Sequence, residues 1–393
     1  MSNVAAAIFW TCVGLVLYSY LVYPLVIWLA SRHRRRTPPP LPADAELPRV
    51  TLVIAAYNEA ASIAATLETA LAVDYPADKF EILVGSDGSK DATAAIVRGF
   101  AGRGVRLLDF DQNRGKASVL NDLMATATSP LALLSDANTR IAPDAVLALV
   151  RWFADPRLGA AVGRLVLTDS AGGRNVDGLY WKYENFLKRC EGRRGALLGA
   201  NGAIYLIRRD RFVPIPPGTI VDDFVIPLLA RLRHGCTLVY DDQACAFEET
   251  SPDVGSEFHR RARIGAGGFQ AIGMLAPLLN PRHGWTTLAF VSHKVLRWLG
   301  PFLLIGALVS NALLLDQPLY RGLLVAQLAF YALSLVLAYV PSRFVGLKPL
   351  RLSTMFTSMN AALLVGFWRF ISGRQKGAWR RTARPAEAQE ALR

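Results

Sequence analysis

From Val4 to Ala30 the chain runs 27 residues without a charged side chain, and Arg32, Arg34, Arg35 and Arg36 follow at once. At 1.5 Å per residue, a helix of that length reaches about 40 Å, more than the ~30 Å hydrocarbon core of a bilayer. A cleaved leader would carry its basic residues ahead of a shorter apolar stretch; here they come after a long one. The spacing predicts a membrane-spanning helix over 1–31. The positive charge behind it puts the amino terminus outside and the arginines in the cytoplasm. A basic, proline-rich linker then occupies 32–47, stiffened by Thr37-Pro38-Pro39-Pro40-Leu41-Pro42.

Three more apolar runs, Trp298 to Leu315, Gly322 to Pro341 and Leu352 to Trp368, fall within 285–372 and are read as carboxyl-terminal spans. The last is the weakest, because it holds Asn360 among Thr and Ser. Three crossings after a cytoplasmic domain would place the 373–393 tail outside. Its Arg374, Lys376, Arg380, Arg381 and Arg384 favour the cytoplasm, so the last run either re-enters or lies at the interface. The uncharged stretch Ile264 to Pro281 is broken by glycine and proline, and 256–284 is read as an amphipathic segment along the membrane surface.

The formal charge of +13 calls for an anionic partner, but the basic clusters sit at the ends of apolar runs and no nucleic-acid module is present. A hydrophobic share of 52% excludes disorder. Cys12, Cys190, Cys236 and Cys245 form no CxxC pair and no ligand spacing, so they read as reduced structural thiols.

Between the spans, 48–255 alternates strand and helix. Val50 to Ala55, Glu81 to Gly85, Val105 to Leu108 and Leu131 to Ser135 read as strands. Ala60 to Leu71, Asp91 to Phe100 and Lys116 to Thr126 read as helices. That order predicts a mostly parallel, doubly wound α/β sheet, which binds ligands beyond the carboxyl ends of its strands. The polar residues fall there: Tyr57-Asn58-Glu59, Ser86-Asp87-Gly88-Ser89 and Asp136-Ala137-Asn138. No GxGxxG, complete P-loop, GxSxG or HExxH accompanies them, which argues against dinucleotide, P-loop, serine-hydrolase and zincin chemistry.

What remains is an ordered set of strand-end carboxylates. Such a set suits a nucleotide-diphosphate substrate: one Asp accepts from a base or ribose, another holds a divalent cation, a third takes a proton from an attacking hydroxyl. Each Asp alone is more simply a cap or turn residue, and Asp91 and Asp144 read as caps. The set as a whole favours function. Gly199-Ala200-Asn201-Gly202-Ala203 reads as a loop that lets backbone approach a sugar or acceptor closely. Tyr180, Trp181, Tyr183 and Glu184 read as one helix face, either acceptor-facing or core.

These motifs, taken in order and with spans on both sides, resemble a membrane-integrated family 2 glycosyltransferase of GT-A fold, similar to the cellulose, hyaluronan and poly-N-acetylglucosamine synthases. Val53 to Glu59 is similar to the family's first strand and nucleotide loop, Ser86-Asp87-Gly88-Ser89 to its DDGS, Asn113-Arg114-Gly115-Lys116-Ala117 to its NxGKA, and Asp136-Ala137-Asn138 to its DxD. Asp222-Asp223 stands at its ED, and Arg260 to Ile264 at its QxxRW. The resemblance implies an inverting transfer from a UDP-sugar to a membrane-associated acceptor in surface polysaccharide or glycolipid synthesis, with Mg²⁺ or Mn²⁺. Tyr57, Glu59 and Asp87 would form the nucleoside pocket, and Lys116 and Arg263 would neutralise the diphosphate. Asp136 with Asn138 would hold the metal. Asp223 would be the base, with Asp222 as runner-up, and Gly199, Asn201 and Gly202 would form the acceptor loop. Export partners are implied, and the catalytic domain would face the cytoplasm. Asn138 replaces a carboxylate, Arg260 stands at the head of the fourth motif, and Ile264 replaces a stacking Trp, which points to short addition. A polyprenyl phosphate acceptor, an inactive nucleotide-binding scaffold and a transporter are the competing readings.

Overall fold

The computed structural model describes residues 2–34, 36–168, 178–249, 254–340 and 351–375. The chain divides into two compact units. One gathers Met1–Val26, Asp253–Ile272 and Phe290–Gln375; the other gathers Ile27–Pro252, Gly273–Ala289 and Lys376–Arg393. Arg35, Lys376, Arg380, Arg381 and Arg384 of the basic clusters, and the end of the run at Pro341, lie outside the described residues.

The α/β unit is built on eight strands: β1 Val50–Ala56, β2 Phe80–Asp87, β3 Val105–Phe110, β4 Leu131–Asp136, β5 Arg140–Ile141, β6 Leu158–Thr168, β7 Tyr205–Arg208 and β8 Thr237–Glu249. They form one sheet in the order β3-β2-β1-β4-β7-β6-β8-β5. β1, β2, β3 and β4 run parallel, as do β6 and β8, while β7 lies antiparallel between β4 and β6. The sequence Val-Thr-Leu-Val-Ile-Ala-Ala of β1 is buried at every position, as a strand covered on both faces requires. Leu52, Ile54, Leu67, Ile82, Val84 and Leu133 pack in its core; Leu52→Ala there would cost about 2–5 kcal/mol.

Register decides where the site falls. Ala55 stands opposite Asp136, Ala56 opposite Ser86, and Asp87 opposite Phe110. The four parallel strands therefore end level, and the chain turns polar on a single edge. The mostly parallel GT-A-like sheet expected from the sequence is present. β6, β7 and β8 were not legible as strands, and they contribute its second half.

Among the described residues two helices are long and apolar enough to cross a membrane, Ser2–Ser31 and Pro318–Tyr339. A third candidate is the pair Trp285–Trp298 and Gly300–Ala312, bent by 60° at its break. The helix Arg351–Ile371 is not among them. Phe9 meets Tyr320 edge-on at 5.7 Å, and Trp10 Nε1 donates to the Tyr320 hydroxyl at 3.3 Å. The segment read as lying along the membrane surface begins as the helix Val254–Met274. Its Phe269 sits 5.0 Å from Phe367 and 6.3 Å from Phe302, so one face of that helix packs inside the helical unit. All four cysteines are unbridged, as the sequence implied.

Candidate active site

The loops after β1 and β2 are laced together by backbone and side-chain hydrogen bonds. Asn58, in the left-handed region at φ 53°, accepts from the Lys90 amide at 2.8 Å and donates its own amide to Ser89 Oγ at 3.1 Å; Asn tolerates that conformation where most residues do not. The Glu59 amide donates to Thr93 Oγ1 at 2.7 Å, and its carboxylate accepts from Ser62 Oγ at 2.7 Å. Asp91, read as a cap, stands one residue ahead of the N-cap position Ala92 of the helix Thr93–Gly99; its Oδ1 accepts from the Thr93 amide and its Oδ2 from the Ala60 amide. Asp144 precedes a short helix but makes no side-chain cap bond. Tyr57 is half-buried on the same edge.

Asp87 was expected in the nucleoside pocket. It is fully buried, and its two oxygens accept from the Arg114 and Gly115 amides, each at 2.8 Å. A carboxylate satisfied in this way shapes the turn ahead of the helix Lys116–Thr126 and so aims Lys116. Arg114 lies over the Phe110 ring at 4.1 Å, which anchors the same turn from its outer side.

Lys116 is the hub of the edge. Its Nζ stands 2.6 Å from Asp136 Oδ1 and 3.1 Å from Asp222 Oδ2. The three side chains are 15%, 32% and 8% exposed, so the pair is screened far less than a surface salt bridge. Burial alone would drive the ammonium to give up its proton. Asp136, Asp222 and Asp223 outweigh burial and hold its pKa above the ordinary lysine value, so it stays charged.

Asp222 and Asp223 open the helix Asp222–His234, which ends at Gly235. Burial, and next the adjacent Asp222, push the Asp223 carboxyl up to about 6; Lys116 and Lys188 pull it the other way. A carboxylate with that pKa is ionised at neutral pH, yet far more basic than a surface aspartate.

The glycine loop is placed against the protein itself. A β-carbon on Gly202 would lie 2.3 Å from Asp136 Oδ2, and one on Gly199, at φ 70°, would lie 2.8 Å from the Phe224 Cα. The Ala200 amide donates to the Asp223 carbonyl at 2.9 Å. Asn201 was expected to face a sugar or acceptor. It is buried, its Nδ2 donates to the Gly163 carbonyl at 2.9 Å, and its Oδ1 accepts from the Ile204 amide at 3.2 Å. The loop thus seats Asp136 and Asp223 side by side.

Two participants were missed in the sequence. Tyr205, in register with Leu134 on β7, is 1% exposed. Among the described residues its hydroxyl has no hydrogen-bond partner. Burial, with Asp222, Asp223 and Asp136 nearby, holds its phenol protonated. Lys188 lies one turn beyond Glu184 on the helix Leu179–Arg194, a spacing that could have flagged it. On that helix Trp181 packs against the sheet core, which favours the core reading of its aromatic face. Arg263 and the partly exposed Ile264 lie on the helix Val254–Met274 of the other unit.

Among the described residues no group of three or more His, Cys, Asp and Glu has the arrangement of a metal site. Asp136 and the amide oxygen of Asn138, which is half-buried, offer two hard donors. Mg²⁺ takes about one or two carboxylates from a protein when substrate phosphates complete its shell. The Lys116 ammonium on Asp136 Oδ1 shows that this carboxylate accepts a cation, so the residues fit.

Residues 51–210 match the family described as Glycosyl transferase family 2. That stretch of the chain is thus similar to family 2 glycosyltransferases. The chain is 27% identical over 270 residues to the poly-beta-1,6-N-acetyl-D-glucosamine synthase of Staphylococcus aureus, covering 64% of this chain and 65% of that relative. The enzyme of the same name from Staphylococcus epidermidis is 26% identical over 230 residues, covering 57% and 55%. The chain therefore spans less than two thirds of those relatives' length. In fold it is similar to a mannosyltransferase from Pyrobaculum calidifontis, solved in complex with GDP-Man and Mn²⁺. That likeness has a TM-score of 0.69 at 22% identity and covers 93% of this chain and 99% of the other.

Proposed function

We propose that this glycosyltransferase moves a sugar from a nucleotide sugar to a membrane-associated acceptor in one inverting displacement. The observation that carries the reading is the pairing of a raised Asp223 carboxylate with the Lys116–Asp136–Asp222 cluster on one strand edge. Asp223 takes the proton of the acceptor hydroxyl as its oxygen attacks the anomeric carbon. The bond from that carbon to the diphosphate oxygen breaks, and the nucleoside diphosphate leaves with the electron pair. Lys116 receives the growing charge on that oxygen. Asp136 and Asn138 would hold Mg²⁺ or Mn²⁺, which neutralises the diphosphate when bound.

Tyr57 and Glu59 border the nucleoside side of the edge, with Asp87 acting through the turn it holds. Gly199 and Gly202 bring the acceptor loop against Asp136 and Asp223. The name of the staphylococcal relatives supports a nucleotide-linked N-acetylglucosamine as the first donor to test. The Ile264 side chain, in place of a flat stacking ring, supports addition of one or a few sugars. The two apolar helices support an integral protein of the inner or plasma membrane. Arg32 and Arg34 behind the first helix support a catalytic unit in the cytoplasm, where partners for polysaccharide export would meet it.

The test is incubation of membranes holding the protein with a panel of radiolabelled nucleotide sugars, followed by gel filtration of the product. A short, lipid-extractable product from a UDP-sugar is expected. Transfer from no nucleotide sugar would overturn the enzyme reading in favour of a nucleotide-binding scaffold. A long polymer made by this chain alone would overturn short addition.

A further inference from the structure

A cavity of about 160 Å³ opens in the α/β unit away from the carboxylate cluster. Arg36, Arg189 and Arg193 line it, with Trp152 and Tyr240 among its walls and Asp241 and Asp242 at its edge. The two acids are already engaged. Asp241 is held by Arg151 at 3.2 Å and by Trp152 Nε1 at 2.7 Å, and Asp242 stands 3.5 Å from Arg189. Among the described residues Arg36 and Arg193 have no carboxylate within ion-pair distance. With Arg151 included, four guanidinium groups face two carboxylates, and the cavity keeps a surplus of positive charge.

The fold builds this surplus deliberately. Arg189 and Arg193 are four residues apart on the helix Leu179–Arg194 and so share a face. Gly192 lets that helix settle on β8, since a β-carbon there would lie 3.1 Å from Tyr240 Cβ. Between the two arginines, Cys190 is in hydrogen-bond contact with Ser31, the last residue of the first apolar helix. Arg36 follows that helix by five residues, or about 17 Å of fully extended chain at most. Next on the same helix, Arg194 stacks over the Trp285 ring at 4.5 Å, the residue pair favoured at a membrane–water boundary. The cavity is therefore tied to the end of a candidate span.

We propose that this cavity binds the phosphate of an anionic phospholipid. The guanidinium fork matches phosphate oxygens two at a time, and the volume admits a headgroup without its acyl chains. The arginines engage the phosphate diester as it projects from the bilayer, and the α/β unit is held against an anionic membrane face. This site is separate from the transfer chemistry and stands whether or not the donor assignment does.

The full-length protein, purified in neutral detergent, would be titrated with phosphatidylglycerol and the bound lipid counted by native mass spectrometry. Arg36→Gln with Arg193→Gln is expected to weaken binding about 25-fold, roughly fivefold for each charge removed. Both side chains are exposed, so the fold survives the change, and donor binding is the check on it. Arg103→Gln, on an exposed arginine paired with Glu68, is expected to leave lipid binding unchanged. Equal binding by the double variant and the parent would overturn the proposal, as would an equal loss in Arg103→Gln. Displacement of the lipid by excess inorganic phosphate would reassign the site to a soluble phosphate and overturn the lipid assignment.

Discussion

Gly202 and Asp136 are in such close contact that the side chain of one dictates the identity of the other: a single added methyl group would stand 2.3 Å from the carboxylate oxygen. The contact ties the glycine loop to the strand end, and it explains why a loop with no reactive group belongs to the site.

Gly202→Ala is therefore expected to push the Asp136 carboxylate off Lys116. A displacement on the order of 1 Å costs about 10²-fold in rate. Steady-state turnover would fall by that order, while the melting temperature would change as for a modest overpacking of about 1–3 kcal/mol. Turnover equal to the parent's would show that Asp136 does not need its present position.

Asp223→Asn should lower turnover about 10²–10⁴-fold with donor affinity retained. With its carboxyl pushed up to about 6, the parent's rate should climb through that pH and level off above it. If Asp222→Asn abolishes activity and Asp223→Asn spares it, the base is the neighbouring carboxylate.

The same shift makes a stability prediction of opposite benefit. The folded carboxyl titrates near 6, against 3.8 for an ordinary aspartate, so folding disfavours its charged form. Its contribution is fullest below 3.8 and is lost as pH rises through about 6. Asp223→Asn should raise the melting temperature at pH 7.5 relative to the parent, and the difference should vanish in acid. A mutant that melts lower than the parent at pH 7.5 would contradict the burial of that charge.

Asp87→Asn separates a structural role from nucleoside recognition. The amide keeps one acceptor and turns an NH₂ towards an amide hydrogen, so one backbone donor of the Arg114–Gly115 turn loses its partner. That costs about 1–3 kcal/mol and should appear as a lower melting temperature without any nucleotide present. An unchanged melting point with weaker nucleotide binding would restore the nucleoside role.

Chelation bears on Asp136 and Asn138. EDTA should stop transfer, and added Mg²⁺ or Mn²⁺ should restore it, measured as release of nucleoside diphosphate. Full activity in chelator would leave Lys116 as the neutralising group.

The half of the sheet that holds β1 to β4 was legible because each strand is a short apolar run closed by polar residues, and each is covered on both faces. β6 and β8 escaped notice because their pairing is long-range: Leu158 to Thr168 finds its partner more than seventy residues away, and only the register reveals it. The carboxylates were legible as a set but not one by one. Asp87 and Asn201 carry the residue types of a ligand site, yet backbone amides and carbonyls hold them, and no side-chain pattern records a backbone partner. Tyr205 was overlooked for the reverse reason, since an aromatic residue in an apolar strand reads as core until its hydroxyl is placed beside three acids.

On the proposed reading, the Lys116 bridge would make donor binding an ion exchange. Before any ligand arrives, this lysine is neutralised by Asp136 and Asp222. A bare sugar brings no charge with which to compete for it, and would leave the bridge closed. A diphosphate brings its own negative charge, and a metal riding on that diphosphate offers Asp136 a replacement cation. Entry is thereby reserved for a sugar that arrives already joined to its leaving group, and the departing nucleotide lets the bridge re-form behind it.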